Sequence, residues 1–341
     1  MTPADAETPV AGPPAPFVAG PAELPEEHAD ALLSGAALAT VDVQLFDLTG
    51  PGVVACLQGM LTSDIESPGD GAFVYGAALT PKGMIRTDVW AARSGTTVTL
   101  TVPAAGVPAM TEILARQLPP RLARVTDGVP RTVLRLGGPT AVAMAERAGI
   151  AVPATGQAAR SAFRPPACVV CRPAEGAPFD LELHVDDADV AAVRRALLDA
   201  GVVETTAATL ELGRILAGWP RLGAEIDDKT LPHEMRYDEI NGVSYTKGCY
   251  TGQETVARLH FRGHANRLLR GITWQDAPDF GQPAVTQGDK QIGRVTSIAW
   301  CAPYMQYLGL GLVRREADLA EPVQAAGTPA RLVELPFRFS L

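Results

Sequence analysis

A change of pattern near Arg267 constrains this fold more than any other feature of the sequence. Downstream of it the chain breaks into short strands separated by Gly-containing turns, at residues 267–274, 291–298, 306–313 and 330–338. Short strands at such spacing form a small all-β module, expected to close as a barrel. Upstream, helical and strand periodicities are interleaved. Residues 41–48 alternate polar and apolar as a strand does, and a short helix from Gly52 through Leu57 ends near Gly59. Residues 72–79 and 84–92 read as paired strands around the turn Thr80-Pro81-Lys82-Gly83, and Thr96 to Val102 continues that sheet. A helix follows with Val107, Met110, Ile113, Leu114 and Leu118 on one face. A second unit opens near Arg131, with strands at 132–136, 167–171 and 179–185 and helices at 187–200 and 206–217. The predicted class is α+β, with two α+β units followed by a β-barrel. The boundaries fall at 31–130, 131–262 and 263–341 behind a tail of residues 1–30.

The tail is read from composition. Residues 1–30 hold seven prolines and six acids with no Lys or Arg, so six of the nine excess negative charges lie there and the body is nearly neutral. Such a stretch has too little apolar surface to offset its ordering entropy and is expected to be disordered. It lacks the features of a secretory or mitochondrial leader, and no apolar run is long enough to span a bilayer, so a cytoplasmic protein with no membrane partner is expected. Five cysteines in 341 residues are odd in number and sparse, which argues for reduced thiols and against a disulfide framework. Cys168 and Cys171 lie three apart in an apolar strand, where their side chains face opposite sides, and read as core thiols. His233-Glu234 lacks the second histidine of a zinc-protease helix, and no resident metal is expected.

The segment richest in chemistry is Lys247-Gly248-Cys249-Tyr250-Thr251-Gly252-Gln253-Glu254. Thr251 and Glu254 have capping-box spacing, which predicts a helix running on toward Phe261 with Cys249 just ahead of its N-terminus. A helix N-terminus and a nearby Lys247 both favour a thiolate, while Gly248 allows a sharp turn. The competing reading is a small apolar residue in a turn. Arg258, Arg262, Arg267 and Arg270 follow within thirteen residues that contain no acid. They form either a site for an anion, such as the glutamate tail of a folate, a phosphate or a nucleic acid, or a solvated helix face.

The eight residues 247–254, followed by Val256-Ala257-Arg258, resemble the signature of the YgfZ family, which is related to the aminomethyltransferase of glycine cleavage. Leu57-Gln58-Gly59-Met60-Leu61-Thr62-Ser63-Asp64, Leu79-Thr80-Pro81-Lys82-Gly83, Gly218-Trp219-Pro220 and Leu231-Pro232-His233-Glu234 resemble further family elements in the same order. The resemblance runs from about Ala39 to Val313. It implies an aminomethyltransferase-like ring of three domains around a channel that holds tetrahydrofolate. It also implies a part in assembling or repairing iron–sulfur clusters of [4Fe–4S] enzymes, including tRNA-modifying ones. Partners would be folate, client enzymes and cluster carriers, and direct nucleic-acid binding is not expected. On that basis Cys249 is the working group, supported by Lys247 and Tyr250, and Gln253, Glu254, Arg258 and Lys82 are candidate cofactor contacts. The thiol could ligate a transient cluster, trap a folate-borne carbon unit or form a mixed disulfide with a client.

Two departures bear on chemistry. Aminomethyltransferases carry a Gly-Gly-x-x-Asp-Asp turn, but here Arg86-Thr87 stand at the acidic positions and Asp88 follows one residue later, on the opposite strand face. Arg214-Ile215-Leu216-Ala217-Gly218 has Leu216 where related folate enzymes place a pterin-binding Glu. The reading therefore favours a maturation factor over its alternative, a folate-dependent aminomethyl- or methyltransferase or demethylase.

Overall fold

A computed structural model describes residues 16–20, 22–161 and 168–338. Its first unit is a five-stranded antiparallel sheet in the order Phe73–Leu79, Ile85–Ser94, Thr97–Pro103, Val43–Thr49, Arg124–Thr126. Helices Val53–Met60 and Val107–Gln117 cover one face, burying Leu57, Met110, Ile113 and Leu114 against Leu48, Val89, Val98 and Leu100. The apolar stripe read from Val107 onward is the buried face of the second helix.

The second unit is a six-stranded sheet ordered Val203–Glu204, Ala37–Thr40, Arg131–Gly137, Leu181–Asp186, Cys168–Arg172, Gln157–Ser161. Helices Ala141–Arg147 and Val190–Asp199 pack on it. Ala37–Thr40 pairs with Leu134–Gly137 and so belongs to this sheet, although it lies within the stretch assigned to the first unit. Cys168 and Cys171 are both buried and enter separate clusters on opposite faces, as strand geometry requires.

The third unit is a closed barrel. Its strands run Lys290–Cys301, Ala284–Gln287, Val323–Ala325, Thr328–Val333, Arg267–Trp274 and Gln306–Arg314, and the last pairs back onto the first. In chain order the Arg267–Trp274 strand comes first of these six, beginning where the sequence pattern changes.

The tail expectation needs correction. Residues 1–15 lie outside the described residues, but Phe17–Ala19 pairs in parallel with Ser297–Ala299, and Glu26–Ser34 is a helix. Proline content masked a short apolar pattern: Ala19, Leu24, Ala29 and Leu32 are buried with Leu212, Ile215, Ala299 and Leu308 under the barrel. That burial supplies the stabilisation that composition alone did not reveal.

All three units meet in one central cluster. The first sheet contributes Phe73, Tyr75 and Trp90, the second unit Cys171 and Phe179, the connecting segment Trp219, Met235 and Tyr237, and the barrel Leu312. Arg214 ties the helix Ala207–Ala217 to the barrel, with hydrogen bonds to Glu211, Glu225 (2.9 Å) and Ser297 (2.6 Å). A buried guanidinium is tolerable only with such partners. Among the described residues, no helix is long and apolar enough to cross a membrane.

Candidate functional site

Two sequence-distant segments, 59–63 and 80–83, converge on the Cys249 loop. Lys247 Nζ is buried and donates to the carbonyls of Leu61 and Ser63, each at 2.7 Å. Thr251 N donates to Gly59 O (3.1 Å) and Ser244 N to Thr62 O (2.9 Å), while Thr62 Oγ1 donates to Gly242 O (2.5 Å). From the other side, the Thr80–Gly83 turn closes on Gly252. A Cβ on Gly252 would lie 2.6 Å from Thr80 O, and Gly252 has φ +84°, so both sterics and backbone call for glycine there. The three motif segments thus form one structure. Its product is a loop fixed by its backbone that leaves Cys249 exposed, whereas Cys168, Cys171 and Cys301 are buried and Cys56 half-buried.

Several local expectations change. The helix spans Gln253–Arg262, with Gly252 as its N-cap and no side-chain capping bond, so Thr251 and Glu254 make no capping box. The close approach of the Thr80–Gly83 turn decides the entry, and Thr251 is held through its backbone instead. Gly248 has open space where a Cβ would be and requires no special backbone. Lys247 acts on carbonyls rather than on the thiol. Burial lowers its pKa to about 8, with Asp64 opposing that shift. Its ammonium also sits 5.2 Å from the Tyr250 ring centroid. Tyr250 is buried with an unpartnered hydroxyl, and burial, helped by the charge of Asp238, pushes its pKa up to about 12. Lys82, Glu254 and Arg258 are exposed and Gln253 is partly exposed, all on the turn and helix that frame the loop. The arginine run does not converge: Arg267 pairs with Glu234 and Arg270 with Glu334.

A second feature lies at the junction of the units. A cavity of about 350 Å³ is lined by Phe73, Tyr75, Trp90, Trp219, Gln157 and Asn241, among others. Trp90 stacks on Phe73 (4.9 Å, 19°) and on Trp219 (5.7 Å, 13°). Behind this wall the Tyr75 hydroxyl donates to Asp88 Oδ2 (3.1 Å) and lies 3.1 Å from the Tyr237 hydroxyl. Asp88 Oδ1 is buried and unpartnered, and burial raises the carboxyl's pKa despite the bond from Tyr75. The carboxylate that strand parity set apart from the transfer position therefore faces the central cluster, while Arg86 turns to Glu112. Leu216 packs with the apolar cluster beneath the barrel rather than in the central one. None of Lys82, Gln253, Glu254 and Arg258 lines this cavity. A larger open cleft of about 690 Å³ on the barrel carries Arg267, Arg294 and Arg314 but no aromatic wall. The cavity leaves no mark in the sequence, because its walls come from six separated segments and only Trp219 lies within a motif.

Comparison with known proteins bears on this architecture. The GCVT N-terminal domain family matches residues 26–241. Two relatives named tRNA-modifying protein YgfZ match locally. That of Vibrio vulnificus (strain CMCP6) is 37% identical over 76 residues, 22% of this chain and 24% of the relative. That of Aliivibrio fischeri (strain MJ11) is 46% identical over 57 residues, 16% of this chain and 18% of the relative. The chain thus spans about a quarter or less of the length of these curated relatives. The crystal structure of glycine cleavage system aminomethyltransferase T from Bartonella henselae superposes with a TM-score of 0.79 at 19% identity, covering 91% of this chain and 88% of that one. The fold is therefore the aminomethyltransferase-like α+β fold.

Proposed function

Because the chain belongs to the GCVT N-terminal domain family, as a YgfZ-type member of it, we propose that it is a cytoplasmic folate-binding protein. In this reading it assists assembly or repair of iron–sulfur clusters in [4Fe–4S] enzymes through Cys249. Clients that modify tRNA fit the name its relatives carry. The observation that carries the reading is the loop. Four backbone-directed hydrogen bonds, from Lys247 Nζ, Ser244 N and Thr251 N, fix a segment whose one free product is an exposed thiol. A core cysteine would need none of this, since burial alone holds the other thiols.

In this reading the central cavity takes the folate ring system. Phe73, Trp90 and Trp219 offer apolar aromatic walls, and the side-chain amides of Gln157 and Asn241 offer polar groups to a ring's donors and acceptors. Tetrahydrofolate, when bound, would supply a carrier for one-carbon units. The chain's own residues would grip the ring and keep water from it, while the Tyr75–Asp88 bond holds Tyr75 in the wall from behind. Asp88 at the centre also favours the second reading, a folate-dependent transferase, because a buried carboxylate of raised pKa suits proton transfer.

One experiment separates the two. Cells lacking their own homologue are supplied with the wild type, Cys249→Ala or Asp88→Asn at equal abundance, and a [4Fe–4S] enzyme is assayed. Loss of rescue by at least about tenfold with Cys249→Ala, but not with Asp88→Asn, is the expected result; tenfold corresponds to about 1.4 kcal/mol. The reverse pattern would move the function to the carboxylate and to carbon transfer.

A further inference from the structure

Beside the Cys249 loop, two histidines and an aspartate come together. His233 lies at the start of the short 3-10 turn Pro232–Met235, Asp238 follows it, and His260 projects from the helix Gln253–Arg262. One ligand atom from each of the three lies within 4.8 Å of the other two. His260 Nδ1 is 3.4 Å from Asp238 Oδ2. In a tetrahedral site with metal–ligand bonds of about 2.0–2.1 Å, neighbouring donor atoms sit roughly 3.3 Å apart. The Asp238–His260 pair already has that spacing, and a ring nitrogen of His233 lies within 4.8 Å of a ligand atom of each.

Tyr245 preorganises the group. Its hydroxyl donates to Asp238 Oδ1 and lies 3.3 Å from His233 Nε2, and its ring stacks on His260 at 3.7 Å and 19°. This stacking fixes the plane of the His260 imidazole before any ion arrives. The charge of Asp238 also reaches Tyr250, the residue after Cys249, so the group lies at the rim of the same loop.

The other set of this kind shows the contrast. Cys171, Glu182 and His184 are wholly buried, with Glu182 already neutralised by Arg135 and bonded to Thr101. That set is a closed interior network whose carboxylate is already paired, with only His184 Nδ1 left without a hydrogen-bond partner. The rim set is half-open to solvent.

We propose that His233, Asp238 and His260 form a binding site for a divalent transition-metal ion of the zinc or ferrous class. Two imidazoles and one carboxylate are the donors such borderline ions prefer, and three protein ligands leave a position free for water or an incoming thiolate. Magnesium and calcium, which take oxygen ligands, would not compete. This inference does not depend on folate binding or on the role of Cys249.

The test uses the untagged full chain, stripped with chelator and titrated by calorimetry with zinc chloride, with ferrous ion under anaerobic conditions, and with magnesium chloride. One zinc or ferrous ion per chain is expected, with no response to magnesium. His260→Gln lies on an exposed helix position and should keep the fold, which thermal melting checks. It should weaken binding by at least the roughly 10–100-fold that loss of even a supporting partner costs. His233→Gln should do the same, while His264→Gln, a histidine outside the cluster, should leave binding unchanged. Absence of saturable one-to-one binding, or equal weakening by His264→Gln, would overturn the assignment. So would binding undiminished in both cluster variants.

Discussion

The Cys249 loop and the central cavity are neighbouring regions built by opposite means. The loop is held by polar groups acting on backbone: Lys247 on two carbonyls, Thr251 N on Gly59 O and Gly252 against the Thr80–Gly83 turn. The cavity is held by side-chain faces, with Phe73, Trp90 and Trp219 stacked and Tyr75 and Tyr237 bonded at their tips. Polar clamps fix position while leaving a side chain free, which suits a thiol that must meet something outside. Aromatic packing excludes water and sets a shape, which suits the grip of a flat ligand. The two regions should therefore fail differently when altered.

The largest effect is expected at the cavity. Trp219 is 5% exposed, stacks on Trp90 and meets Tyr75 edge-on. Trp219→Ala should cost about 3–5 kcal/mol of stability, measured by denaturant unfolding. In whatever native protein remains, the alkylation rate of Cys249 should match the wild type, because no clamp of the loop runs through Trp219. A Cys249 that alkylates at an altered rate in the folded variant would show that the two regions are one mechanical unit.

The same division explains what could be read from the sequence. The loop is made by runs of consecutive residues, 57–64, 79–83 and 247–254, so each part leaves a contiguous trace. The barrel start at Arg267 and the core placement of Cys168 and Cys171 were legible because strand periodicity is local. The cavity left no such trace: Phe73, Trp90, Phe179 and Trp219 look like ordinary core residues until three units are brought together. Strand parity set Asp88 on the face opposite Thr87, but counting residues does not say what lies against that face. The His233–Asp238–His260 group was missed for a related reason. Its members are spread over 28 residues and join only because a turn and a helix pack side by side. The Phe17–Ala19 strand was hidden by proline-rich surroundings, although its partner strand supplies the burial that the segment lacks by itself.

A middle-sized effect should mark the loop. The Lys247 pKa falls to about 8 in the folded chain, against roughly 10.4 in an unfolded one. Between those values the unfolded chain binds a proton that the folded chain does not, so stability rises with pH across that window. Below about pH 8 both states are protonated, and the cost of burying the ammonium is constant. Wild type minus Lys247→Met, measured by denaturant unfolding from pH 7 to 10, should show a rise of order 1–3 kcal/mol. At pH 7 the variant also leaves Leu61 O and Ser63 O unpaired, a loss of about 1–3 kcal/mol for each buried acceptor that water does not reach. A flat difference across pH would mean the amine is solvated and the clamp is weak, and the contrast with the cavity would then soften.

The smallest effect separates two accounts of how the loop enters its helix. If Thr251 were the cap that its spacing with Glu254 suggests, Thr251→Ala would cost about 1 kcal/mol. In the structure its side chain caps nothing, and its backbone N–H, which alanine retains, carries the bond to Gly59 O. The expected change is therefore within about 0.5 kcal/mol, as for an ordinary partly exposed position. Gly252→Ala in the same assay should cost more than Thr251→Ala, since its Cβ would meet Thr80 O at 2.6 Å in a left-handed backbone. That ordering would locate the helix entry in the contact between the Thr80–Gly83 turn and Gly252, and so place control of the Cys249 loop in tertiary packing rather than in its own capping signal.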